Sequence, residues 1–314
     1  MATINIGEIV ATTLRNRSGQ LADNVLNHNA LCARLLRKGN VKPVSGGREI
    51  IQELEYAENG TSGWYSGYEV LDISPSEVFD AATYDWKQLA GNVTISGLEE
   101  IKNSGKERVI NLIASRIKNL EKTLKNDLAT ALYADGTTNT KSLGGLAYLV
   151  QDDPTSSSTV GGINQSTYSF WQNQYSASAA TSAGNIGSRM NTVWLTCIRG
   201  TDKPDFIVTD STEYNFFEAS LQQYQRFSDA SEADMGFESL KYKTADVFYD
   251  DQCTAKRMFM LNSDYLFLRP HTDRQFVPLM ERQSINQDAC VTPVVWAGNL
   301  TCSNRSLQGV IIDD

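Results

Sequence analysis

Residues 44–86 hold nine carboxylates, Glu49, Glu53, Glu55, Glu58, Glu69, Asp72, Glu77, Asp80 and Asp85, against a single base, Arg48, and no lysine. Tyr56, Trp64, Tyr65, Tyr68, Phe79, Tyr84 and Trp86 are interleaved with them, and Gly60, Gly63 and Gly67 mark a turn. Such a stretch is too polar for a core and too rich in large aromatics for an idle surface loop. Aromatics concentrate where one protein surface meets another, so the chemistry indicated is recognition between subunits. Upstream the charge reverses: residues 1–43 carry Arg15, Arg17, Arg34, Arg37, Lys38 and Lys42 against Glu8 and Asp23. A basic arm followed by an acidic one suits subunits that clasp one another. The candidate interface residues are therefore Arg15, Arg17, Arg34, Arg37, Lys38, Arg48, Glu53, Glu55, Tyr56, Glu58, Trp64, Tyr65 and Tyr68.

Other chemistry finds little support. There is no Gly-x-Ser-x-Gly elbow, Walker loop, Gly-x-Gly-x-x-Gly or His-Glu-x-x-His. His271, within Arg269-Pro270-His271-Thr272-Asp273-Arg274, has no nucleophile paired with it in sequence and reads as a turn residue. Asp152-Asp153 and Asp250-Asp251 could touch a divalent cation but read as solvated loop pairs. Tyr214, Phe216, Phe217 and Tyr224 read as the buried face of a helix rather than a stacking platform. Cys32, Cys197, Cys253, Cys290 and Cys302 are scattered, with only His28 and His271 to help them, so neither a zinc site nor any other cofactor is expected. The net charge of −9 disfavours tight, direct nucleic-acid binding outside the basic first segment. No signal peptide or membrane-spanning run is legible, and a soluble protein made in a cytoplasm is expected.

The elements that must position the two arms are legible to different degrees. Residues 5–38 suggest short helical pieces, more an extended arm than a compact domain. Alternation over 48–59 and again over 68–80, joined by Asn59-Gly60-Thr61-Ser62-Gly63, predicts a long β-hairpin. Ser104-Gly105-Lys106-Glu107 reads as a capping box. Beyond it Val109, Ile113, Ile117, Leu120, Leu124, Leu128 and Leu132 form one apolar stripe that Asp135-Gly136 ends. The long helix could be a coiled coil or a spine beneath a sheet. Its steps lean toward four rather than strict heptads, which favours the spine. From Pro154 to Ser188 no residue is charged, and much of that stretch reads as flexible loop. A helix over 186–199, a strand at 204–208, a helix capped by Asp210, strands near 240–249, 257–261 and 265–268, and a β-rich tail from Phe276 to Ile312 complete an α+β chain.

This order of elements resembles the major capsid proteins of tailed bacteriophages, the Hong Kong 97-like fold. The resemblance covers essentially the whole chain. It rests on the arm, the extended loop, the strand Asp85–Gly97, the spine helix, the Gly144-Gly145-Leu146 and Thr159–Asn164 segments, the Pro204–Asp210 strand, Leu261–Leu266 and the β-rich tail. It implies an N-terminal arm at 1–47, an extended loop at 48–84, a peripheral domain with the spine helix at 85–136, an axial domain at 137–268, and a return to the peripheral domain at 269–314. It further implies self-assembly into hexamers and pentamers of an icosahedral virion shell, put together in the host cytoplasm around double-stranded DNA that is contacted without sequence preference. A portal is implied as a partner. Residues 1–47 alone precede the loop, so the long scaffolding segment of some relatives is not seen, and a separate scaffolding protein or prior cleavage is expected. Some relatives crosslink an extended-loop lysine to a neighbour's asparagine. With no lysine between Lys42 and Lys87, this shell is expected to hold noncovalently, with a cement protein as a possible addition. The alternatives are an encapsulin-like nanocompartment shell, which shares the fold, and a cytoplasmic enzyme.

Overall fold

The computed structural model describes residues 29–102, 112–176, 179–221, 239–280, 282–283 and 287–313. Arg15, Arg17 and the capping box at Ser104–Glu107 lie outside the described residues. Helix α1 spans Ala30–Arg37. Asn29 caps it, its Oδ1 accepting from the backbone N–H groups of Leu31 and Cys32. Leu31, Cys32 and Leu35 are fully buried in the main core. The expected extended arm is thus, over these residues, a helix seated in the body of the protein. The near-helical spacing of Leu31, Leu35 and Leu36 reflects a genuine inward face.

Strands β1 (Ile50–Glu55) and β2 (Phe79–Tyr84) pair antiparallel, from Ile50 opposite Tyr84 to Glu55 opposite Phe79. The predicted hairpin exists, but its second strand starts later than the 68–80 alternation suggests. Residues 68–73 are exposed on all sides, so their alternation marks no buried face. Strand β3 (Lys87–Ser96) leads to the short helix α2 (Gly97–Lys102) and then to α3 (Leu112–Tyr133). Ile117, Leu120, Leu124, Leu128 and Leu132 of α3 are all buried. A Cβ at Gly91 of β3 would collide with the Leu120 side chain. The stripe therefore faces a sheet, and α3 is a spine rather than a coiled-coil strand. Gly136, at φ +71°, ends it as the expected left-handed residue.

The second half begins with α4 (Leu146–Leu149), the two-residue strands β4 (Thr159–Val160) and β5 (Ile163–Asn164), β6 (Gln174–Ser176) and α5 (Ile186–Thr196). It continues with β7 (Phe206–Thr209), α6 (Ser211–Leu221), β8 (Ser239–Tyr242), β9 (Ala245–Tyr249) and β10 (Arg257–Leu261). The chain closes with β11 (Leu266–Pro270), β12 (Val277–Pro278), β13 (Arg282–Gln283), β14 (Ala289–Cys302) and β15 (Gly309–Ile312).

Two sheets organise these elements. The long β14 pairs with β3 along one edge and with β11, β12 and β13 along the other, and α3 packs on this sheet. The other sheet runs β6-β15-β10-β7-β9-β8, with the β6–β15 and β7–β9 pairs parallel. It is buried on both faces. Phe206, Val208, Phe248, Phe259, Leu261 and Val310 point into the main core, while Ile207, Val247, Met258, Met260 and Ile311 meet α5 and α6 in a second core. That explains why these strands read as continuous apolar runs. Phe217 belongs to the second core with Tyr214 and Phe216 packed on it, as the helix-face reading expects; Tyr224 lies outside the described residues.

The uncharged stretch is less loop-like than its composition suggests. Arg305, fully buried, donates to the carbonyls of Leu149 and Trp171, to Gln165 Oε1 and to Asn173 Oδ1. Its guanidinium also lies 5.6 Å from the Trp171 ring. Burial lowers its pKa to about 10, so it remains a cation at neutral pH. Asp250, read from sequence as part of a solvated pair, is instead a junction. Its Oδ2 accepts from Tyr133 Oη at 2.7 Å and from Asn29 Nδ2 at 2.9 Å, tying α1, α3 and the second half together.

One buried carboxylate is poorly satisfied among the described residues. Glu213 in the first turn of α6 is inaccessible, and neither of its oxygens makes a hydrogen bond of good geometry, Thr181 being its nearest polar help. Burial pushes its pKa up to about 7, with Asp313 and Asp210 adding to the shift and Thr181 and Arg189 opposing it. A carboxyl unfolded at about 4.3 and folded near 7 binds its proton more tightly in the folded state. Stability should therefore fall as pH rises through that interval. Glu213→Gln, which has no charge to bury, should melt at increasingly higher temperature than the parent from pH 4.5 to 7.5. Parallel melting curves across that range would contradict the assignment.

Candidate assembly interface

The base of the hairpin is fixed by contacts on every side. Ile50, Gln52 and Leu54 point inward from β1, while Ile51, Glu53 and Glu55 face out. Gln52 Oε1 accepts from Arg269 at 2.9 Å and from Thr301 Oγ1 at 3.3 Å. Tyr84 is buried, with its hydroxyl 3.4 Å from the Cys302 carbonyl. The Thr83 N–H donates to the Gly161 carbonyl at 2.9 Å. Gly161 and Gly162 both take positive φ, and a Cβ at Gly161 would press within 2.9 Å of the Ala82 side chain, so a glycine is needed for this close approach. Tyr56 stacks on Phe170 at 4.8 Å, the last aromatic of the hairpin to find a partner in its own subunit. Trp86 donates to the Gly47 carbonyl and packs beside His271. His271 Nδ1 accepts from the Asp273 N–H, which makes it the expected turn residue.

Beyond the base the hairpin stands clear of the body. Trp64 and Tyr68 are wholly exposed, and Tyr65, Val70, Leu71, Ile73 and Phe79 are largely so. Glu58 is exposed, and among the described residues Arg48 reaches only its neighbour Glu49, at 3.9 Å. The candidate residues Glu53, Glu55, Glu58, Trp64, Tyr65 and Tyr68 thus share one projecting element. Val70, Leu71, Ile73 and Phe79 were missed from sequence because strand alternation suggested that half of them would be covered.

The basic candidates behave differently. Arg34 bonds Asp205 at 3.1 Å and lies 3.7 Å from Asp246. Lys38 lies 2.7 Å from Asp205 and 2.8 Å from Asp264. These two bases neutralise acids of their own chain, which turns the reading of them as a clasp for a neighbour's acids into an intrachain one. The sequence signal missed was the position of Asp205 and Asp246 at the starts of β7 and β9 and of Asp264 in the turn between β10 and β11, next to the core-seated α1. Arg37 is exposed on the same helix and has interactions of its own. Among the described residues no cluster of His, Cys, Asp and Glu is arranged to hold a metal ion. No helix there is long and apolar enough to cross a membrane.

Solved structures share this arrangement over most of the chain. The capsid asymmetric unit of cyanophage A-1(L) superposes at a TM-score of 0.66 over 88% of this chain and 92% of its own, with 14% identity. The chain has the Hong Kong 97-like capsid fold. The same fold appears in the capsid of Myoviridae phage XM1, at a TM-score of 0.53 and 13% identity over 89% of this chain and 92% of that one. It appears again in the holo-SrpI encapsulin complex from Synechococcus elongatus PCC 7942, at 0.57 and 10% identity over 90% and 88%. No sequence-family profile and no curated protein sequence matches the chain. A Hong Kong 97-like subunit built this way should keep its own stability when the hairpin tip changes, yet lose it when the internal ion pairs do. Arg34→Ala should cost about 1.5–3 kcal/mol in denaturant unfolding, the range for hydrogen bonds to charged groups. Trp64→Ala should stay within about 0.5 kcal/mol, as expected of a surface site.

Proposed function

We propose that this chain is the major capsid protein of a tailed double-stranded DNA bacteriophage and that it self-assembles into the icosahedral shell enclosing the genome. One observation carries the reading: a hairpin with a locked base and an exposed apolar, acidic tip, standing off a fully packed body of the Hong Kong 97-like fold. An isolated subunit gains nothing from displaying Trp64, Tyr65, Tyr68, Val70, Leu71 and Ile73 to water. Neighbouring subunits that cover them gain apolar burial of roughly 25 cal/mol per Å².

The subunits are read as hexamers and pentamers in a virion, formed in the host cytoplasm. A separate scaffolding protein and a portal would complete the assembly, with room for an added cement protein. Packaged DNA would be met by non-specific contact, with Arg15, Arg17 and the exposed Arg37 the basic candidates for that role or for a neighbouring subunit. The shell would hold noncovalently, since the hairpin offers no lysine.

The second reading is a nanocompartment shell. The encapsulin structure that shares the fold favours it. Nucleic acid copurifying with shells from infected or induced cells supports the capsid; a protein cargo inside nuclease-resistant, DNA-free shells supports the compartment. Electron microscopy of the expressed chain tests both at once. Closed shells are expected from the parent, and Trp64→Ala/Tyr65→Ala should leave folded subunits that assemble at least tenfold less efficiently. Normal shell yield from that variant would remove the tip from the interface.

A further inference from the structure

Strand β6 is one edge of the six-stranded sheet, and a single side chain joins its end to the end of β15. Arg189, from α5, donates to Ser176 Oγ of β6 at 3.1 and 3.2 Å and to the Ile312 carbonyl of β15 at 2.7 Å. The same guanidinium donates to the Ala179 carbonyl at 2.7 Å and to Thr181 Oγ1 at 2.5 Å. The Thr181 N–H in turn donates to Asp313 Oδ1 at 2.6 Å, and the Asp313 N–H to the Lys256 carbonyl at 3.1 Å. One arginine and one threonine thus tie an edge strand and the end of β15 into a single knot.

The inaccessible Glu213 is buried against that knot. Among the described residues, Thr181, Asp313, Asp210 and Arg189 are the polar and charged groups that act on it, one or more from each element packed around it. Asp210 is committed elsewhere, accepting from the N–H groups of Glu213 and Lys256. With Glu213 protonated, two carboxylates share the neighbourhood of one guanidinium. Ionisation makes the carboxylates three, and like charges out of water repel with little screening. A guanidinium also gains more from a carboxylate than from a neutral carbonyl. The new charge therefore pulls Arg189 from its carbonyls and pushes Asp313 away, and both displacements act on the β6–β15 edge. Closing the edge takes up a proton and opening it releases one, so rising pH favours the open form until about 7.

We propose that Glu213 is a proton-operated latch on the edge of the six-stranded sheet. Protonated, it leaves Arg189 clamping β6 to β15. Ionised, it draws Arg189 off the Ile312 and Ala179 carbonyls, repels Asp313 and lets the two strand ends part. The latch does not depend on the capsid reading and would work in either kind of shell. Hydrogen exchange of the full chain from pH 4.5 to 7.5, read by mass spectrometry with times scaled to the intrinsic rate, tests it. Peptides covering β6 and β15 should lose at least tenfold in protection across that range, while β7 and β9 of the same sheet keep theirs. Glu213→Gln, uncharged throughout, should hold the edge closed at every pH. Flat edge protection in the parent, a loss shared equally by β7 and β9, or a full loss in Glu213→Gln would overturn the latch. Should Glu213→Gln fail to fold, Asp313→Asn decides the matter. It removes a carboxylate that holds the proton on Glu213 and should shrink the loss; an undiminished loss would overturn the proposal.

Discussion

A cation without a carboxylate holds the two halves of this subunit in register. Arg305 sits at zero exposure, and neutral oxygens from Leu149, Gln165, Trp171 and Asn173 surround it. Burying a guanidinium is costly unless its donors are satisfied, so a segment with no charge of its own is forced into a defined cage. That segment includes Gly161 and Gly162, the seat of the hairpin base. The same Arg305 belongs to the short turn leading from β14 to β15, the strands that join the two sheets. Spine sheet, hairpin and six-stranded sheet therefore meet at one charge. Removing it would leave the oxygens of Leu149, Gln165 and Trp171 without the donor they have now, while Asn173 Oδ1 would keep the Gln151 N–H.

Electrostatics divide the chain into an inner and an outer set. Arg34, Lys38 and Arg257 are used against Asp205, Asp246, Asp264 and Asp152, so much of the described positive charge is satisfied inside the subunit. Among the described residues the hairpin acids beyond Glu49 have no such partners nearby. They keep a flat, apolar tip soluble and discourage unguided edge pairing before a proper neighbour arrives. The hairpin is thus acidic for a reason separate from the basic helix upstream, although the two look complementary in sequence.

Periodicity was a good guide wherever the side chains have something to pack against. The α3 stripe, the α5 and α6 faces and the doubly buried strands β7, β9 and β10 all follow their patterns. Residues 68–73 alternate equally well yet form no strand, because nothing in the subunit covers either side. The Pro154–Ser188 stretch is largely loop among its described residues, as its composition suggests, but Gln165, Trp171 and Asn173 within it are fixed by Arg305, more than a hundred residues away, which no local pattern shows. The exposed aromatic tip was legible from composition.

The locked base and free tip also have a mechanical meaning. The two six-residue strands, each about 20 Å long, are held in the core by Ile50, Leu54, Ala82 and Tyr84 and do not swing. Freedom to move is thus confined to the exposed segment beyond them, where residues 57–77 pair with no strand. In the proposed shell, joints at different angles would be absorbed by that segment, and the packed interior would stay the same in every copy.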